Sequence, residues 1–139
     1  MCLFYLSDRG DCYFFGYQSE TTSMWQTVNF GSRLDTSLID SAQIKYNLSA
    51  WLGGLNNQND SVIIYLTFSD DNNQIQGNVT NLGPVLAPDR QNISSLMFKQ
   101  TTDIVPVNSR ILTVLVTITR YEGLQNNGDI DNIALILYQ

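Results

Sequence analysis

A chain of 139 residues, 43% of them apolar, is long enough to form one domain with a packed core, and it contains no apolar run as long as a membrane span. Seven Lys and Arg against thirteen Asp and Glu give a net charge of −6, which argues against a nucleic-acid partner. Histidine is absent, so Ser-His-Asp catalysis, Cys-His catalysis and histidine-bearing metal sites are excluded. The composition therefore favours a non-enzymatic protein without membrane insertion.

The chain begins with an apolar run, residues 1–6, that is too short for a signal peptide and has no basic residue before it. We expect this chain to be a piece of a longer secreted polypeptide. Cys2 and Cys12 are the two cysteines, and an oxidising compartment would allow them to form a disulfide. A hairpin around residues 7–11 does not place them directly opposite, so two buried free thiols remain the alternative. Arg9-Gly-Asp11 spells an integrin-recognition tripeptide, but we interpret it as a turn.

Short runs rich in β-branched and aromatic residues recur along the whole chain, and turn residues separate them. Helical periodicity is limited to one possible turn within residues 33–43. Alternation of apolar and polar residues in 46–52 indicates a strand with one wet face, whereas 62–68 is apolar on both faces and is predicted to be central. Strands are predicted at residues 2–6, 12–17, 23–30, 44–53, 61–69, 73–80, 94–100, 110–120 and 130–138.

This pattern predicts an all-β protein: a two-sheet antiparallel β-sandwich of the jelly-roll type. No internal repeat, low-complexity tract or linker divides the chain. We therefore expect residues 1–139 to form a single β-sandwich domain.

The last two predicted strands are separated by a polar segment, residues 122–129, that is broken by glycine. Asp129 and Asp131 at its end form an Asp-x-Asp pattern, and oxygen ligands at alternate positions suit calcium. A solvated acidic loop is the simpler interpretation. Calcium is therefore a possible cofactor rather than a required one.

The chain contains four N-glycosylation sequons, and they lie at positions that are predicted to be solvent-exposed or in turns. Their acceptors are Asn47, Asn59, Asn78 and Asn92, and none of them lies at a predicted core position. Because glycan attachment requires exposure, this placement favours a secreted, extracellular glycoprotein.

Exposed aromatic rings are the side chains that stack on the apolar face of a sugar. Trp51 shares strand parity with polar residues, and Tyr121 opens a loop, so both are candidates for carbohydrate binding. Trp25 and Tyr46 are also rings to test for sugar stacking, but a place in the core is the favoured interpretation for these two. The acids cluster in turns, which argues against a paired-carboxylate glycosidase.

Several segments together resemble galactose-binding-like jelly-roll domains, which are similar to carbohydrate-binding modules and occur in large secreted multidomain proteins. The resemblance covers residues 8–139. It is carried by Trp25-Gln-Thr-Val28, Tyr46-Asn-Leu-Ser-Ala-Trp-Leu-Gly-Gly54, residues 62–68, Gly83-Pro-Val85 with Asp89-Arg90, residues 114–120 and Asn127-Gly-Asp-Ile-Asp-Asn-Ile-Ala134.

The resemblance also implies a missing part. Such domains begin with a strand and loop upstream of the region present here, and in sugar-binding relatives that loop and a C-terminal acid hold a structural calcium ion. Asp131 matches the C-terminal acid and Asp129 lies nearby, so the resemblance implies half of a calcium site.

Two functions follow from these observations. The first is a structural or adhesive building block that self-assembles into a filament or matrix, because a sandwich without its first strand has an open edge that a neighbouring subunit could pair with. The alternative is a lectin-like carbohydrate-binding module. The predicted partners are accordingly further copies of this chain, as a homo-oligomer or polymer, or a glycan ligand.

Overall fold

The computed structural model describes residues 12–139, and within them almost all regular structure is β-strand. Asp35 begins the short helix by accepting the N–H of Ser37 at 2.9 Å. The elements in chain order are β1 (Phe14–Tyr17), β2 (Thr21–Asn29), α1 (Thr36–Asp40), β3 (Lys45–Gly54), β4 (Ser61–Ser69), β5 (Ile75–Leu82), a 3-10 turn (Pro88–Arg90), β6 (Ser95–Ile104), β7 (Ile111–Thr119) and β8 (Asn126–Tyr138).

The strands form two antiparallel four-stranded sheets that pack face to face. The first sheet has the strand order β1-β8-β3-β6, and the second has the order β2-β7-β4-β5. Strand β4 lies inside the second sheet between β7 and β5, which confirms its predicted central position.

The core lies between the sheets and is built from alternate residues of the facing strands. Leu48, Ala50 and Leu52 of β3 are buried, and so are Ile64 and Leu66 of β4. Burial of this apolar surface, at roughly 25 cal/mol per Å², is the main force that holds the sandwich together.

Strand β8 contains a bulge that changes which residues face the core. Leu52 is opposite Ile130, but Leu48 is opposite Leu135, so β8 has one extra residue between these two pairs. Asn132, with a φ of 49°, lies in this bulge. The even-numbered Ile130 therefore faces the core before the bulge, and the odd-numbered residue Leu135 does so after it.

The predicted strands agree with the observed ones in number and order for residues 12–139, and the largest differences are at the end of β6, which extends to Ile104 rather than to residue 100, and at the start of β8. That strand begins at Asn126 rather than at residue 130, so Asp129 lies within a strand and not in a turn. The helical turn expected within 33–43 corresponds to α1. The strand predicted at 2–6 lies outside the described residues.

Among residues 12–139, one side of the sandwich is left open by the strands. Strand β1 pairs with β8 only between Tyr17 and Phe14, and beyond Ile130 no described strand pairs with the outer edge of β8. An apolar cleft of about 480 Å³ lies there between the sheets. Its lining includes Met24, Val28, Val114, Ile133, Leu135 and Leu137.

No helix within residues 12–139 has the length and apolar character needed to cross a membrane.

Candidate functional site

A row of side chains crosses the outer face of the first sheet, which we call the first face. Trp51 of β3 is opposite Asp131 of β8 on one side and Phe98 of β6 on the other. The Trp51 and Phe98 rings are 5.5 Å apart between centroids and are tilted by 57°. Aromatic pairs at this separation hold each other in place. The first face therefore presents two adjacent rings beside a carboxylate.

The sequence produces this row through strand alternation. In β3 the even-numbered residues 46–52 are buried, so the odd-numbered ones point outward and Trp51 is half-buried on the outer face. Phe98 is 48% exposed on the neighbouring edge strand. Asp131 is the last outward residue before the bulge, and its Oδ1 accepts the N–H of Asn132 at 2.7 Å.

Polar side chains continue the first face on one side of the row. Ser49 is opposite Gln100, and Asn47 is opposite Thr102. The Asn47 amide donates to Thr102 Oγ1 at 2.9 Å and to Gln100 Oε1 at 3.3 Å. These groups lie about 7 Å and 14 Å along the strands from the Trp51 row, within the reach of an extended oligomeric ligand.

More aromatic rings lie on the other side of the row. Phe15 of β1 is opposite Asp129, which in turn is opposite Gly53. The Phe15 ring packs against Tyr13 at 6.2 Å and against Tyr17 at 5.9 Å between centroids. This aromatic cluster lies next to the Asp131–Trp51–Phe98 row. Gly53, which has no side chain, is the β3 residue opposite Asp129 on that side of the row.

Asp129 is the most perturbed acid in the site. Burial raises its pKa from the ordinary value of 3.8 to about 7; the charge of Arg90 opposes this shift and that of Asp60 adds to it. The pKa of Tyr13 is also raised, by burial first and by the charge of Asp129 second. Asp129 therefore changes its charge near neutral pH.

Two buried charged residues hold the loops at this end of the sandwich. Asp60 accepts the backbone N–H groups of Tyr121 at 2.6 Å, Glu122 at 3.0 Å and Asn127 at 2.9 Å. The Arg90 guanidinium donates to backbone carbonyl oxygens, at distances between 2.6 and 3.0 Å, of Gly54, Asn56, Gln58 and Ile93. Charge-assisted bonds to buried groups are among the stronger ones in proteins, so these loops are held firmly.

The arrangement suits ligand binding better than catalysis. Flat rings bind the apolar face of a sugar ring, and carboxylate, amide and hydroxyl groups bind its hydroxyls. Asp131 supplies a carboxylate on the first face beside the two rings. These are the interactions that a sugar-sized ligand needs.

The two aromatic residues predicted for sugar binding lie in different parts of the molecule. Trp51 lies in the middle of the first face, as described. Tyr121 lies in the loop between β7 and β8, where its side chain is 66% exposed and its N–H is bound by Asp60. The structure thus gives Trp51 an aromatic partner on its sheet, and the binding roles of both residues remain predictions.

One of the two aromatic residues assigned to the core was assigned wrongly. Tyr46 is buried and its hydroxyl lies 2.7 Å from that of Thr80, as expected for a core tyrosine. Trp25 is 72% exposed on the outer face of β2. Met24 and Val28, on the opposite face of β2, are the apolar residues of this strand that pack against the core and line the cleft.

The predicted acidic loop is a strand in the structure. Asp129 and Asp131 are two residues apart on the outer face of β8 and are separated by about 7 Å along it. Within residues 12–139 no group of three or more Asp, Glu or Cys residues gathers in the way a metal site requires. Calcium binding by Asp129 and Asp131 stays a prediction.

The four predicted glycan acceptors differ in how accessible their amides are. Asn78 and Asn92 are exposed, whereas Asn47 and Asn59 are half-buried. Asn59 Oδ1 accepts the N–H of Ala87 at 3.2 Å, so its amide also holds a loop. None of the four is in the core, and their glycosylation stays a prediction.

Other predictions fall wholly or partly outside the described residues. Cys2 lies there, so its pairing with Cys12 stays a prediction. The Arg9-Gly-Asp11 tripeptide also lies there.

Phe98 and Phe15 are the site residues that sequence reasoning missed. Phe98 follows Met97 and precedes Lys99, so its strand shows no clean alternation and gives no signal for its outward direction. What identifies it is the pairing of β6 with β3, which only the fold supplies.

No family model matches the sequence, and no curated protein matches it. Among solved structures, the chain is similar to a family 16 carbohydrate-binding module, with a TM-score of 0.55 and 16% identity over 91% of this chain and 77% of that chain. It is also similar to the enzymatically active domain of tailspike protein 4 of bacteriophage CBA120, with a TM-score of 0.59 and 11% identity over 85% of this chain. It spans 14% of that tailspike chain.

A further match is the C-terminal domain of EclA, described as a sugar-binding protein, with a TM-score of 0.48 and 9% identity over 96% of this chain and 83% of that chain. At these identities, the two likenesses with TM-scores above 0.5 establish the fold alone. The predicted all-β, two-sheet antiparallel sandwich similar to carbohydrate-binding modules is thereby confirmed.

Proposed function

We propose that this chain is a non-enzymatic carbohydrate-binding module of a secreted, extracellular glycoprotein, and that its first face binds a glycan. The observation that carries the proposal is the row of Asp131, Trp51 and Phe98, in which two packed rings lie beside a carboxylate on an accessible sheet face. A sugar ring stacks on Trp51 and Phe98, and its hydroxyls donate to Asp131. The polar residues Ser49 and Gln100 bind the next sugar along the strands.

The fold supports this alternative better than the building-block function. The solved structures that share the fold include a family 16 carbohydrate-binding module. The first prediction, a self-assembling structural or adhesive building block, stays a prediction. Size-exclusion chromatography of the purified chain over a range of concentrations tests it, because a filament or matrix component should associate.

Glycan-array screening followed by isothermal titration calorimetry with the best ligand tests the proposal. Trp51→Ala and Phe98→Ala should each lower affinity about five- to thirtyfold, because stacking on an aromatic ring contributes on the order of 1–2 kcal/mol. Asp131→Asn should weaken binding less, since the amide oxygen still accepts a hydrogen bond. Val107→Ala, which removes an exposed apolar side chain from the loop between β6 and β7, is the matched control and should leave affinity unchanged.

Tyr121→Ala in the same assay asks whether the loop between β7 and β8 also contacts the ligand. A chain that binds no glycan on the array, or that binds equally well after Trp51→Ala and Phe98→Ala, would contradict the proposed site. Unchanged circular dichroism spectra of the variants would show that any loss is not a folding defect.

A further inference from the structure

The second sheet carries no charge. Strands β2, β4, β5 and β7 contain no Asp, Glu, Lys or Arg, although the chain as a whole has twenty such residues. The outer face of this sheet, which we call the second face, is therefore neutral over its whole width. A soluble protein normally places charges on a sheet face that water covers, so this neutrality calls for a ligand that is itself uncharged.

An aromatic row crosses the second face. Trp25 of β2 is opposite Leu115 of β7, and Leu115 is opposite Tyr65 of β4. Trp25 is 72% exposed. Because neighbouring strands are about 4.8 Å apart, Trp25 and Tyr65 are separated by about 10 Å, which is close to the length of a disaccharide. In an extended polysaccharide ribbon every second sugar turns the same face to one side, so one ribbon can stack on both rings.

Hydroxyl groups border the aromatic row on both sides. Thr27 and Thr113 are opposite each other with their Oγ1 atoms 3.0 Å apart, and Ser23 Oγ lies 3.4 Å from Thr117 Oγ1. Each hydroxyl in such a pair keeps capacity for a further hydrogen bond. The cross-strand bonds also fix the hydroxyl positions, which lowers the entropy lost when a ligand binds.

We propose that the second face is a binding site for an uncharged polysaccharide that lies across the strands, stacks on Trp25 and Tyr65, and hydrogen-bonds to the flanking Thr and Ser hydroxyls. A sugar polymer matches the surface because it presents apolar ring faces between rows of hydroxyls. An anionic polysaccharide does not match it, because the second face has no cation to pair with sulfate or carboxylate.

The second face lies on the opposite side of the sandwich from Trp51. If the first face binds a glycan as proposed above, the module holds two polysaccharide segments at once and bridges them. Binding at the second face does not depend on that proposal, but bridging rests on it.

Depletion binding to microcrystalline cellulose, chitin and insoluble mannan tests the second face, with heparin-agarose and polygalacturonate gel as charged comparisons. The measurement starts from the full chain carrying Trp51→Ala and Phe98→Ala, which removes the first face. This protein should still bind one of the neutral polymers, and adding Trp25→Ala should lower its affinity at least about tenfold. Adding Thr113→Glu, which places a charge in the hydroxyl rows, should do the same, and adding Val107→Ala, which removes an exposed apolar side chain from the loop between β6 and β7, should change nothing.

Bridging is measured by the turbidity of the parent chain mixed with a soluble form of the polymer that both faces bind. Turbidity should rise for the parent chain and disappear for Trp25→Ala alone or for Trp51→Ala alone. Loss with Trp25→Ala but not with Trp51→Ala would contradict the first face and leave the second one intact.

Three results would overturn the second-face proposal. The first is that the Trp51→Ala, Phe98→Ala protein binds none of the neutral polymers; the second is that Trp25→Ala leaves its binding unchanged. The third is that Trp25→Ala converts an oligomer into a monomer by light scattering without affecting polymer binding, which would make the second face a protein interface. Circular dichroism melting curves exclude unfolding as the cause of lost binding, since Trp25 is too exposed to support the core.

Discussion

The two outer faces of this sandwich each present a tryptophan, but they place it in different physical settings. Trp51 on the first face is half-buried, packs on Phe98 and adjoins a carboxylate. Trp25 on the second face is mostly exposed and is surrounded by hydroxyl groups on a sheet without charge. The comparison shows that the exposure of an aromatic ring does not by itself determine which ligand the ring can bind. The charged and polar groups around the ring determine the class of ligand.

The first and largest contrast between the faces is in their response to pH. Asp129 belongs to the first face, and its pKa is raised to about 7, so the folded chain holds a proton that the unfolded chain releases above its ordinary pKa of 3.8. The free energy of unfolding should therefore fall as pH rises from about 4 to about 7, by on the order of 3 kcal/mol from this group. Asp129→Asn, which mimics the protonated acid, should remove that decrease.

Urea unfolding of the parent chain and of Asp129→Asn at pH 5 and pH 8 measures the effect as a difference between the two proteins. Other acids titrate in both proteins and cancel in that difference. A decrease of the same size in both proteins would show that Asp129 has an ordinary pKa.

The second contrast is in how much each tryptophan contributes to stability. Trp51→Ala removes a half-buried ring that packs on Phe98, and it should lower the free energy of unfolding by about 2 kcal/mol. Trp25→Ala removes a mostly exposed ring and should change it by no more than about 0.5 kcal/mol. Chemical denaturation of both variants measures the two values, and equal losses would mean that the faces do not differ as described.

A third and smaller contrast concerns the hydroxyl pairs, which occur on the second face. Thr27 and Thr113 should show a coupling of about 0.5 kcal/mol in a double-mutant cycle with valine, because such cross-strand pairs contribute roughly 0.2–1 kcal/mol. Ser23 and Thr117 are separated by 3.4 Å instead of 3.0 Å and serve as the weaker comparison. A coupling of zero in both cycles would show that these hydroxyls bond to water rather than to each other.

The smallest expected effect is that of salt on polymer binding at the second face. Because that face has no charged residue, raising the salt concentration from about 0.1 M to about 1 M, where the screening length falls from about 10 Å to about 3 Å, should leave its affinity unchanged. The measurement is the depletion assay with the Trp51→Ala, Phe98→Ala protein. A clear salt dependence would locate the binding elsewhere on the molecule.

Much of the fold could be predicted from the sequence because strand alternation is a local property. Residues 46–52 alternate cleanly, and the inward and outward assignments from that run match the structure. Trp25 was assigned to the core from its residue type and not from alternation, although it shares strand parity with the polar residues Ser23 and Thr27, which are exposed as it is. The alternation rule missed the true start of β8, since Asn126-Asn-Gly-Asp129 has turn composition and its strand conformation depends on pairing with β3 and β1.

The candidate site was less predictable than the fold for a related reason. Trp51 could be placed on a wet face from its own strand, but the identity of its neighbours depends on which strands pair. Phe98 and Asp131 come from positions distant in sequence and meet Trp51 through the order β8-β3-β6. The burial of Asp60 and Arg90, which hold the loops, could not be predicted from the sequence. Single charged residues within polar segments are usually exposed to solvent, and nothing in the sequence distinguishes these two from that case.

The bulge at Asn132 shifts the inward–outward alternation of side chains along β8 by one residue. Before it the even-numbered side chains face the core, and after it the odd-numbered ones do. Deleting Asn132 would remove the bulge and leave Ile130, Ile133 and Leu135 facing the core, whereas straightening the bulge without a deletion would turn the later residues of that set toward solvent. The bulge therefore makes the inward direction of the C-terminal half of β8 depend on one extra residue, and an insertion or deletion at any other position of the strand would exchange its inward and outward side chains on one side of the change.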